Sequence, residues 1–367
     1  MKKIAFIFYF VIAFSVAFYA CRKDPKPGNT ETNSGVHVLD PKSIFPKRLG
    51  MPQLPADNPL TEEGVYLGRM LFYDPILSMD STISCASCHF QDYAFADFNK
   101  LSTGINNLKT GRNAPGLFNL AYSKVFFWDA RQQSLRNQVF EPIQAHNEMG
   151  MTLPLLEYKL KTSTRYKDAF KKAFEKDPTL VDMSLALEQF MLTLVSNDAK
   201  FNDFFPGKFS VLNDAEARGA LLFNNFIEEG GADCSHCHGG QLVQQNNPNA
   251  GGIANNGLDL VFGDKGFGAI TGIAGDMGTF KTPSLMNIGL TAPYMHDGRF
   301  KTLEDVINHY SDSVEFNSPT LHPIMKKHQP NGQRKLTAQE KADLKAYLLT
   351  MTDNKFLSNP AYSNPFK

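Results

Sequence analysis

Two short segments, Cys85-Ala-Ser-Cys88-His89 and Cys234-Ser-His-Cys237-His238, are the most specific features of this chain of 367 residues. Each has the form C-x-x-C-H, the attachment pattern of c-type haem, in which two thiols bond to the haem vinyl groups. The histidine that follows is then close enough to ligate the iron. Because the pattern occurs twice, the sequence predicts two covalently bound haems and redox chemistry.

The cysteine count supports haem over a disulfide framework. The two motifs use four of the five cysteines, and the fifth, Cys21, follows an apolar N-terminal stretch. The alternative for two C-x-x-C pairs is a four-thiolate zinc site. Zinc needs no histidine directly after each pair, and its pairs usually lie closer together than Cys85 and Cys234. The spacing therefore favours haem.

The N-terminus indicates export from the cytoplasm. Lys2 and Lys3 precede an apolar run, which predicts a signal peptide over residues 1–20. Cys21 lies at a position that resembles a lipoprotein processing site, so we expect lipidation and a membrane anchor. The alternative is cleavage nearby and a free, soluble protein. Residues 21–40 are rich in Lys, Pro, Asn and Thr and predict a flexible tether. Because c-type haem is attached outside the cytoplasm, the expected location is the periplasm.

Composition and helix patterns predict two similar halves. The chain has 37 basic and 37 acidic residues, so nothing indicates a nucleic-acid partner. A helix predicted from Thr61 and another from Asn213 each carry a glycine followed by Leu-Phe, at Gly68 and Gly219. This pairing indicates an internal duplication, and the glycines would let a second helix approach closely. A capping box at Thr337 predicts the closing helix of the second half.

The predicted fold is all-α, with two cytochrome c-like haem domains and long irregular loops. Helical periodicity covers residues 155–200, whereas residues 229–280 are rich in Gly and Asn and predict a long loop around the second haem. The expected divisions are an N-terminal haem domain, a C-terminal haem domain and a tail, at residues 41–205, 206–355 and 356–367.

Beyond the haem motifs, residues 45–352 resemble the bacterial di-haem cytochrome c peroxidases and their MauG-type relatives. The resemblance rests on an ordered set of segments: Leu71-Phe-Tyr-Asp-Pro75, Gly111-Arg-Asn-Ala-Pro115, Phe127-Trp-Asp-Ala-Arg131, Glu148-Met149 and Thr291-Ala-Pro-Tyr-Met-His296. Haem motifs alone occur in many cytochromes, whereas this set is specific to the family.

The resemblance implies a role for each matching position. His89 would be the proximal ligand of the N-terminal, peroxide-reacting haem, and His238 that of the C-terminal, electron-transferring haem. Trp128 would relay electrons between them, with a buried core aromatic as the alternative. Gln138, Pro142 and Glu148 match the distal side of the peroxide-reacting haem. Glu148 would move the proton during O–O cleavage, and its alternative is a solvated loop glutamate.

The family also implies a second metal and particular partners. Asn113, Thr291 and Pro293 match a calcium site built largely from carbonyl oxygens and water. Arg112 and Lys281 are candidates to pair with haem propionates. The implied substrate is hydrogen peroxide, the implied electron donor is a small cytochrome c or cupredoxin, and a homodimer is expected.

Two positions depart from the peroxidase pattern. Many members carry a histidine that blocks the N-terminal iron until reduction, but Ile105 stands there, and no histidine lies between His89 and His146. We therefore expect a five-coordinate N-terminal haem at rest. The usual far methionine of the C-terminal haem is replaced by Tyr310, as in MauG, which should lower the haem potential. The competing ligands are three methionines and a histidine: Met277, Met286, Met295 and His309.

Three functions follow from this pattern. The first is a cytochrome c peroxidase that reduces hydrogen peroxide to water. The second is a MauG-type oxidase that oxidises residues of a partner protein, which Tyr310 and Ile105 favour chemically. The third is a non-catalytic electron-transfer cytochrome with two six-coordinate haems, which leaves Trp128, Gln138 and Glu148 without a role.

Overall fold

Two pairs of packed helices form the framework of the protein. The computed structural model describes residues 35–205, 207–245, 252–326 and 334–367. The helices in this part of the chain are α1 (Pro41–Ile44), α2 (Glu62–Tyr73), α3 (Leu135–Gln138), α4 (Phe140–Gln144), α5 (Leu153–Thr162), α6 (Thr164–Phe174), α7 (Leu180–Leu192), α8 (Lys200–Phe204), α9 (Asp214–Asn224), α10 (Gly268–Thr271), α11 (Leu303–Asp312), α12 (Pro323–Lys326), α13 (Ala338–Leu349) and α14 (Asn354–Leu357).

Short 3₁₀ helices and a small sheet connect these helices. The sheet pairs β1 (Ile253–Ala254) with β2 (Phe280–Lys281) antiparallel. The 3₁₀ helices are Lys47–Leu49, Pro75–Leu77, Cys85–Ser87, Gln91–Tyr93, Ile105–Asn107, Leu120–Tyr122, Phe209–Val211, Ile227–Glu229, Cys234–His236, Ala274–Asp276 and Pro360–Tyr362.

The first helix pair packs α2 against α7 at a glycine. Thr61 caps the N-terminus of α2, and its hydroxyl accepts an amide hydrogen of the first turn at 3.0 Å. Glu62 and Glu63 lie in that turn, where negative charge is favourable to the helix dipole. A Cβ on Gly68 would lie 1.9 Å from the carbonyl oxygen of Ala186 in α7. The predicted cap and the predicted close approach at Gly68 are both confirmed.

The second helix pair packs α9 against α13 in the same way. Asn213 and Glu216 form a capping box at the start of α9, and Thr337 opens α13 with another. A Cβ on Gly219 would lie 2.0 Å from the carbonyl oxygen of Asp343 in α13. The two pairs therefore repeat one design, a capped helix that carries a glycine at its closest contact, as the predicted duplication requires.

An aromatic cluster fills each pair. In the first, the ring of Phe72 lies edge-on to Phe95 and Phe190, with centroids 5.7 and 5.4 Å apart. In the second, Tyr347 lies edge-on to Phe223 at 5.4 Å. Phe72, Phe95, Phe190 and Phe223 are all nearly inaccessible to solvent, so these rings form the core on which the haem motifs rest.

The chain returns to the first helix pair after α13. Phe356 in α14 is 2% exposed, and its ring packs edge-on against Phe95 at 5.8 Å. The hydroxyl of Tyr73 in α2 donates a hydrogen bond to the carbonyl of Tyr362 at 2.7 Å. The segment expected as a tail is thus packed against the N-terminal half of the molecule.

The helical class predicted from the sequence is confirmed. Helices α5, α6 and α7 occupy most of the segment with helical periodicity, and the described part of residues 229–280 has only short helical turns and the two-stranded sheet. The division into two domains at residues 205 and 206 stays a prediction. Among the residues that the structure describes, no helix is long and apolar enough to span a membrane. The predicted signal peptide, Cys21 and most of the tether lie outside the described residues.

Candidate active site

Both C-x-x-C-H motifs line one cavity of about 820 Å³. The cysteines and the last histidine of each motif all contribute to its wall. The two helix pairs supply apolar side chains to the same wall: Phe72, Leu187, Met191, Phe223, Leu344 and Leu348. A large apolar cavity with convergent thiols and imidazoles fits the two predicted haems.

A local turn gives each motif its shape. In the first motif, the amides of Cys88 and His89 both donate to the carbonyl of Cys85, at 3.1 and 3.0 Å. In the second, the amide of His238 donates to the carbonyl of Cys234 at 2.9 Å. One helical turn therefore brings both sulfur atoms and the imidazole of a motif to the same side, which is what covalent attachment and iron ligation together require.

The arrangement argues against the zinc alternative, because a four-thiolate zinc site needs all four cysteines at one point. Within the described ranges, the single group of three or more His, Cys, Asp or Glu ligand atoms that lie within 4.8 Å of one another is His37, Glu62 and Glu63, at the surface. The four motif cysteines therefore do not form one metal site.

Backbone carbonyls orient both proximal histidines. Nδ1 of His89 donates to the carbonyl of Phe95 at 2.7 Å, and Nδ1 of His238 donates to the carbonyl of Pro283 at 3.1 Å. Because a carbonyl only accepts, each ring must carry its proton on Nδ1 and present a bare Nε2. Burial lowers the pKa of His89 and lowers that of His238 to about 4, so both rings stay neutral and able to ligate iron.

Glu148, Gln138 and Pro142 all lie on the cavity wall, and their place on the peroxide side of a haem stays a prediction. The Glu148 carbonyl accepts the amide of Ile105 at 2.8 Å, which fastens the loop that carries the carboxyl. Burial raises the pKa of Glu148; Arg131 opposes the rise and Glu141 adds to it. A carboxyl with a raised pKa at the wall of a cavity is suited to hold and release a proton.

Trp128 is half-buried and lies on the same wall. Its Nε1 donates to the carbonyl of Asn113 at 2.9 Å, and its own carbonyl accepts the amide of Lys281 in β2 at 2.7 Å. The indole is therefore fixed on both its ring and its backbone, within a cavity shared by both motifs.

Tyr310 in α11 also reaches the cavity. Its phenol oxygen accepts a hydrogen bond from the side-chain amide of Asn256 at 2.9 Å. The residue as a whole is 38% exposed, and desolvation of the phenol by the surrounding protein raises its pKa to about 12. Of the three methionine alternatives, Met295 lines the cavity, whereas Met286 is completely buried in the core. Met277 and His309 are not part of the wall. Of the candidates named from the sequence, Tyr310 and Met295 therefore line the cavity, and the identity of the far ligand stays a prediction.

Ile105 lies in the core rather than at the cavity. It is 3% exposed, and its side chain occupies the space beside Gly150, where a Cβ would come within 2.2 Å of Ile105 Cδ1. An aliphatic side chain cannot ligate iron, so the expectation of a five-coordinate N-terminal haem keeps its chemical basis and stays a prediction.

The three residues expected at calcium, Asn113, Thr291 and Pro293, line the same cavity. Both recorded hydrogen bonds of the Asn113 side chain run from Nδ2, to the carbonyls of Asn99 and Lys100. In the described part of the chain, Oδ1 of Asn113 and the carbonyls of Thr291 and Pro293 accept no hydrogen bond. Oxygen atoms without donors suit a hard cation.

The two candidates for haem propionates differ. Arg112 donates from all three nitrogens, at 2.7 and 2.9 Å to Asp264 and at 2.6 Å to Asp129, so its charge is already compensated. Lys281 also lines the cavity, and burial lowers its pKa to about 8. Its ammonium has no hydrogen-bond partner within the described ranges, which leaves it available to an anionic group.

Two wall residues with tertiary roles were not found from the sequence. Asn256 contacts Tyr310 but lies in a segment whose composition indicated only a loop. Arg131 stacks at 3.5 Å over the ring of Phe127 and pairs with Asp129, both in its own segment, and it also pairs with Glu141 in α4. The pairing with Glu141 depends on the folded structure.

Comparison with known proteins identifies the family of the chain. Residues 62–210 match the family model of the di-haem cytochrome c peroxidases. The chain is 34% identical over 300 residues to the methylamine utilization protein MauG of Methylorubrum extorquens, covering 81% of this chain and 80% of that protein. It is 36% identical over 261 residues to the cytochrome c551 peroxidase of Pseudomonas aeruginosa, covering 68% and 72%.

A solved structure agrees as well. A MauG-like protein associated with microbial copper homeostasis superposes with a TM-score of 0.80 at 32% identity, covering 88% of this chain and 99% of that one. These matches confirm the predicted family, the peroxidase-type oxidoreductase and the two c-type haems. The chain belongs to the di-haem cytochrome c peroxidase family, which includes the MauG proteins.

Proposed function

We propose that this protein reduces hydrogen peroxide to water with electrons from a small periplasmic redox protein, either a cytochrome c or a cupredoxin. The observation that carries the proposal is the shared cavity, whose wall holds both haem motifs together with Glu148 and Trp128. An electron carrier needs two ligated irons but no buried carboxyl beside one of them, so Glu148 favours catalysis.

The residues of the two motifs fit two haems. Cys85 and Cys88 would bond one haem, and Cys234 and Cys237 the other, with His89 and His238 as proximal ligands. When bound, haem iron supplies electron transfer and a position at which peroxide is reduced. The carbonyls that accept from Nδ1 of both histidines would hold the rings in place.

Glu148 would move the proton that peroxide cleavage requires. Splitting the O–O bond into two water molecules takes two electrons and two protons, and one proton must pass between the peroxide oxygens. Because burial raises the pKa of Glu148, its carboxyl exchanges a proton closer to neutral pH than an ordinary glutamate does. The Gln138 amide would orient peroxide by hydrogen bonding, and Pro142 would shape the pocket beside it.

Trp128 and Lys281 would act at the two haems in different ways. The anchored indole would relay electrons between the two haems, since an indole can be transiently oxidised. The Lys281 ammonium would pair with a haem propionate, which would compensate both charges inside the cavity.

The two irons would differ in their ligands. Tyr310 would be the second protein ligand of the C-terminal haem iron, and the N-terminal haem would stay five-coordinate. A resting spectrum that shows only low-spin, bis-ligated haem would contradict the open site.

The proposal extends to calcium, location and assembly. Oδ1 of Asn113 and the carbonyls of Thr291 and Pro293 would take part in holding one calcium ion near the cavity. Cleavage of the signal peptide and lipidation of Cys21 would anchor the protein in the periplasm, and the family resemblance supports a homodimer. Globomycin-sensitive processing in the native host would test the lipid anchor.

The decisive experiment uses the haem-loaded protein and two glutamate variants. Stopped-flow mixing with hydrogen peroxide, followed by oxidation of reduced cytochrome c or cupredoxin, measures turnover. We expect Glu148→Gln to slow turnover about a hundredfold or more, the usual effect of losing a general acid–base group. Glu157→Gln is the control, because Glu157 pairs with Lys161 on the surface of α5.

Two outcomes would overturn the proposal. Peroxide turnover at the level of a haem blank, with two six-coordinate haems, would identify an electron carrier. A Glu148→Gln variant as fast as Glu157→Gln would remove Glu148 from the reaction.

The second candidate function is a MauG-type oxidase. It is favoured by Tyr310 at the cavity wall and by the 34% identity to a MauG protein. In this case the peroxide-treated protein would not be reduced efficiently by cytochrome c or cupredoxin. It would instead oxidise side chains of a partner protein, and mass spectrometry of the partner would detect the added oxygen or cross-link.

A further inference from the structure

Asn256 contacts both side chains that compete for the C-terminal haem. Its Nδ2 donates to the phenol oxygen of Tyr310 at 2.9 Å and lies 3.7 Å from the sulfur of Met295. All three side chains line the cavity. One amide group therefore lies against the potential ligand atoms of both Tyr310 and Met295, and any preference it has between them affects which one binds.

Helix α11 holds Asn256 from two sides. His309 Nε2 donates to the carbonyl of Asn256 at 3.1 Å, while the next residue, Tyr310, accepts from the Asn256 side chain. The His309 ring is 4% exposed, so this anchor is shielded from water. The backbone and side chain of Asn256 are thus both fixed relative to the helix that carries the phenol.

The residues on either side of Asn256 are fixed as well. The side-chain amide of Asn255 donates to the hydroxyls of Ser318 and Thr320, at 2.8 and 3.0 Å. The carbonyl of Gly257 accepts the Glu315 amide at 2.9 Å. Gly257 has φ +73°, and a Cβ there would lie 2.6 Å from a methyl of Val314. These contacts hold residues 255–257 in place, so the position of the Asn256 side-chain amide is fixed by its neighbours.

Met295 is held beside Asn256 by an unusual backbone conformation. Its φ is +73°, in the left-handed region that residues other than glycine rarely adopt. The amide of Gly298 donates to the Met295 carbonyl at 3.1 Å and stabilises this turn. A strained conformation beside a cavity is a common sign of a functional constraint.

We propose that Asn256 is a positioning residue that selects Tyr310 over Met295 as the far ligand of the C-terminal haem. The inference rests on the proposed function, in which Tyr310 is that ligand. An amide N–H forms a strong hydrogen bond with oxygen and a weak one with thioether sulfur. The amide therefore orients the phenol of Tyr310 and stabilises negative charge on its oxygen. Its weak contact with the Met295 sulfur does not make that sulfur a stronger iron ligand.

The test removes the amide from the haem-loaded protein and records the ferric spectrum and the reduction potential of the C-terminal haem. Asn256→Leu keeps the side-chain size without N–H groups, and Asn256→Asp keeps the shape with an acceptor. We expect the ratio of methionine-ligated to tyrosine-ligated haem to rise about tenfold in both, the effect of one charge-assisted hydrogen bond. The potential should rise, because thioether sulfur favours the reduced metal more than phenolate does.

Two further variants identify the source of the change. Asn308→Leu is the matched control on α11, because the Asn308 side chain accepts from Lys341 rather than contacting Tyr310. It should leave the spectrum and the potential unchanged. Adding Met295→Leu to Asn256→Leu should abolish the methionine signature and return the haem to tyrosine ligation, since the competing sulfur is removed and Tyr310 is still present.

The outcomes distinguish a failure of the role of Asn256 from a failure of the proposed function. If Asn256→Leu and Asn256→Asp keep the original spectrum and potential while Tyr310→Phe changes them, Asn256 does not select the ligand and the inference is wrong. If Tyr310→Phe also changes nothing, the tyrosine ligand is wrong and the inference falls with it. Peroxide turnover by the unaltered protein tests the proposed function independently. If Asn256→Leu fails to bind haem, the spectrum and potential of Asn256→Asp alone test whether Asn256 selects the ligand.

Discussion

The contact between α2 and α7 predicts a large effect of a single methyl group, in Gly68→Ala. The new Cβ would lie 1.9 Å from the Ala186 carbonyl oxygen, 2.6 Å from its carbonyl carbon and 2.9 Å from Phe190 Cβ. Non-bonded heavy atoms normally stay about 3.5 Å apart, so the two helices would have to separate by roughly 1.5 Å. The nearest atoms belong to the backbone, and no rotamer change can relieve the overlap.

The expected loss in the free energy of unfolding is about 2 kcal/mol. Overpacking a close contact costs about 1–3 kcal/mol, and a backbone clash of this depth belongs at the upper end. Alanine recovers about 1 kcal/mol, because it favours helix over glycine by that amount. Helix α2 leads into the turn that carries Cys85, so the haem spectrum of the N-terminal half should broaden as well.

Denaturant unfolding of the haem-loaded protein measures the effect. Gly219→Ala should behave like Gly68→Ala, because its Cβ would lie 2.0 Å from the Asp343 carbonyl oxygen. Gly275→Ala is the control, since no heavy atom lies within 4 Å of its added Cβ. We expect this control to stay within about 0.5 kcal/mol of the original protein. Equal stability of all three variants would refute the role assigned to the glycines.

Three further predictions concern charged groups. Glu148→Gln should raise Tm at pH 7, because burial raises the pKa of Glu148 in the folded protein above its usual 4.5. The folded protein therefore loses stability as pH rises from 4.5 through the folded pKa, and the gain in Tm should vanish below pH 4.5. A Tm difference that does not depend on pH would contradict this assignment to Glu148. Glu340 should show the opposite pH dependence of stability, because Arg334 and the Thr337 amide lower its pKa to about 2. Its stabilisation is present above pH 4.5 and lost as pH falls towards 2. Glu340→Gln should therefore lower stability at neutral pH and make stability depend less on pH between 4.5 and 2, which urea unfolding at several pH values measures. Asp353→Ala should cost about 3 kcal/mol, since Oδ2 of the buried Asp353 accepts from Ser196 Oγ and the amides of Asn197 and Asp198 at 3.1, 2.7 and 2.9 Å. A urea midpoint like that of Asp198→Ala, on the same loop, would contradict this.

Features encoded by neighbouring residues were predictable from the sequence. The cap at Thr61 joins its hydroxyl to the backbone amide three residues later, and the capping boxes at Asn213 and Thr337 join side chains three residues apart. The structure contains all three. The C-x-x-C-H turns are equally local. Periodicity also identified which segments are helical, because one apolar face must be buried whatever covers it.

Features that depend on distant residues were not predictable. Arg112 was a candidate to pair with a propionate, and its partner in the structure, Asp264, lies 152 residues away and could not be identified from the sequence. Asn256 showed no sign of its contact with Tyr310, because a polar residue in a loop has the same local pattern whether or not it has a tertiary partner. Residue type indicates what a side chain can bind, whereas its partner is set by the folded path of the chain.

The packing of the C-terminal segment has a consequence for how the molecule is assembled. Phe356 and Tyr362 complete the core around α2, so the core of the first helix pair includes residues that follow the second pair in the chain. The two repeats are therefore interlocked, and a fragment of residues 41–205 would lack part of its own core. Truncation after Leu349 should accordingly weaken haem retention at the first motif, although that motif lies far away in sequence.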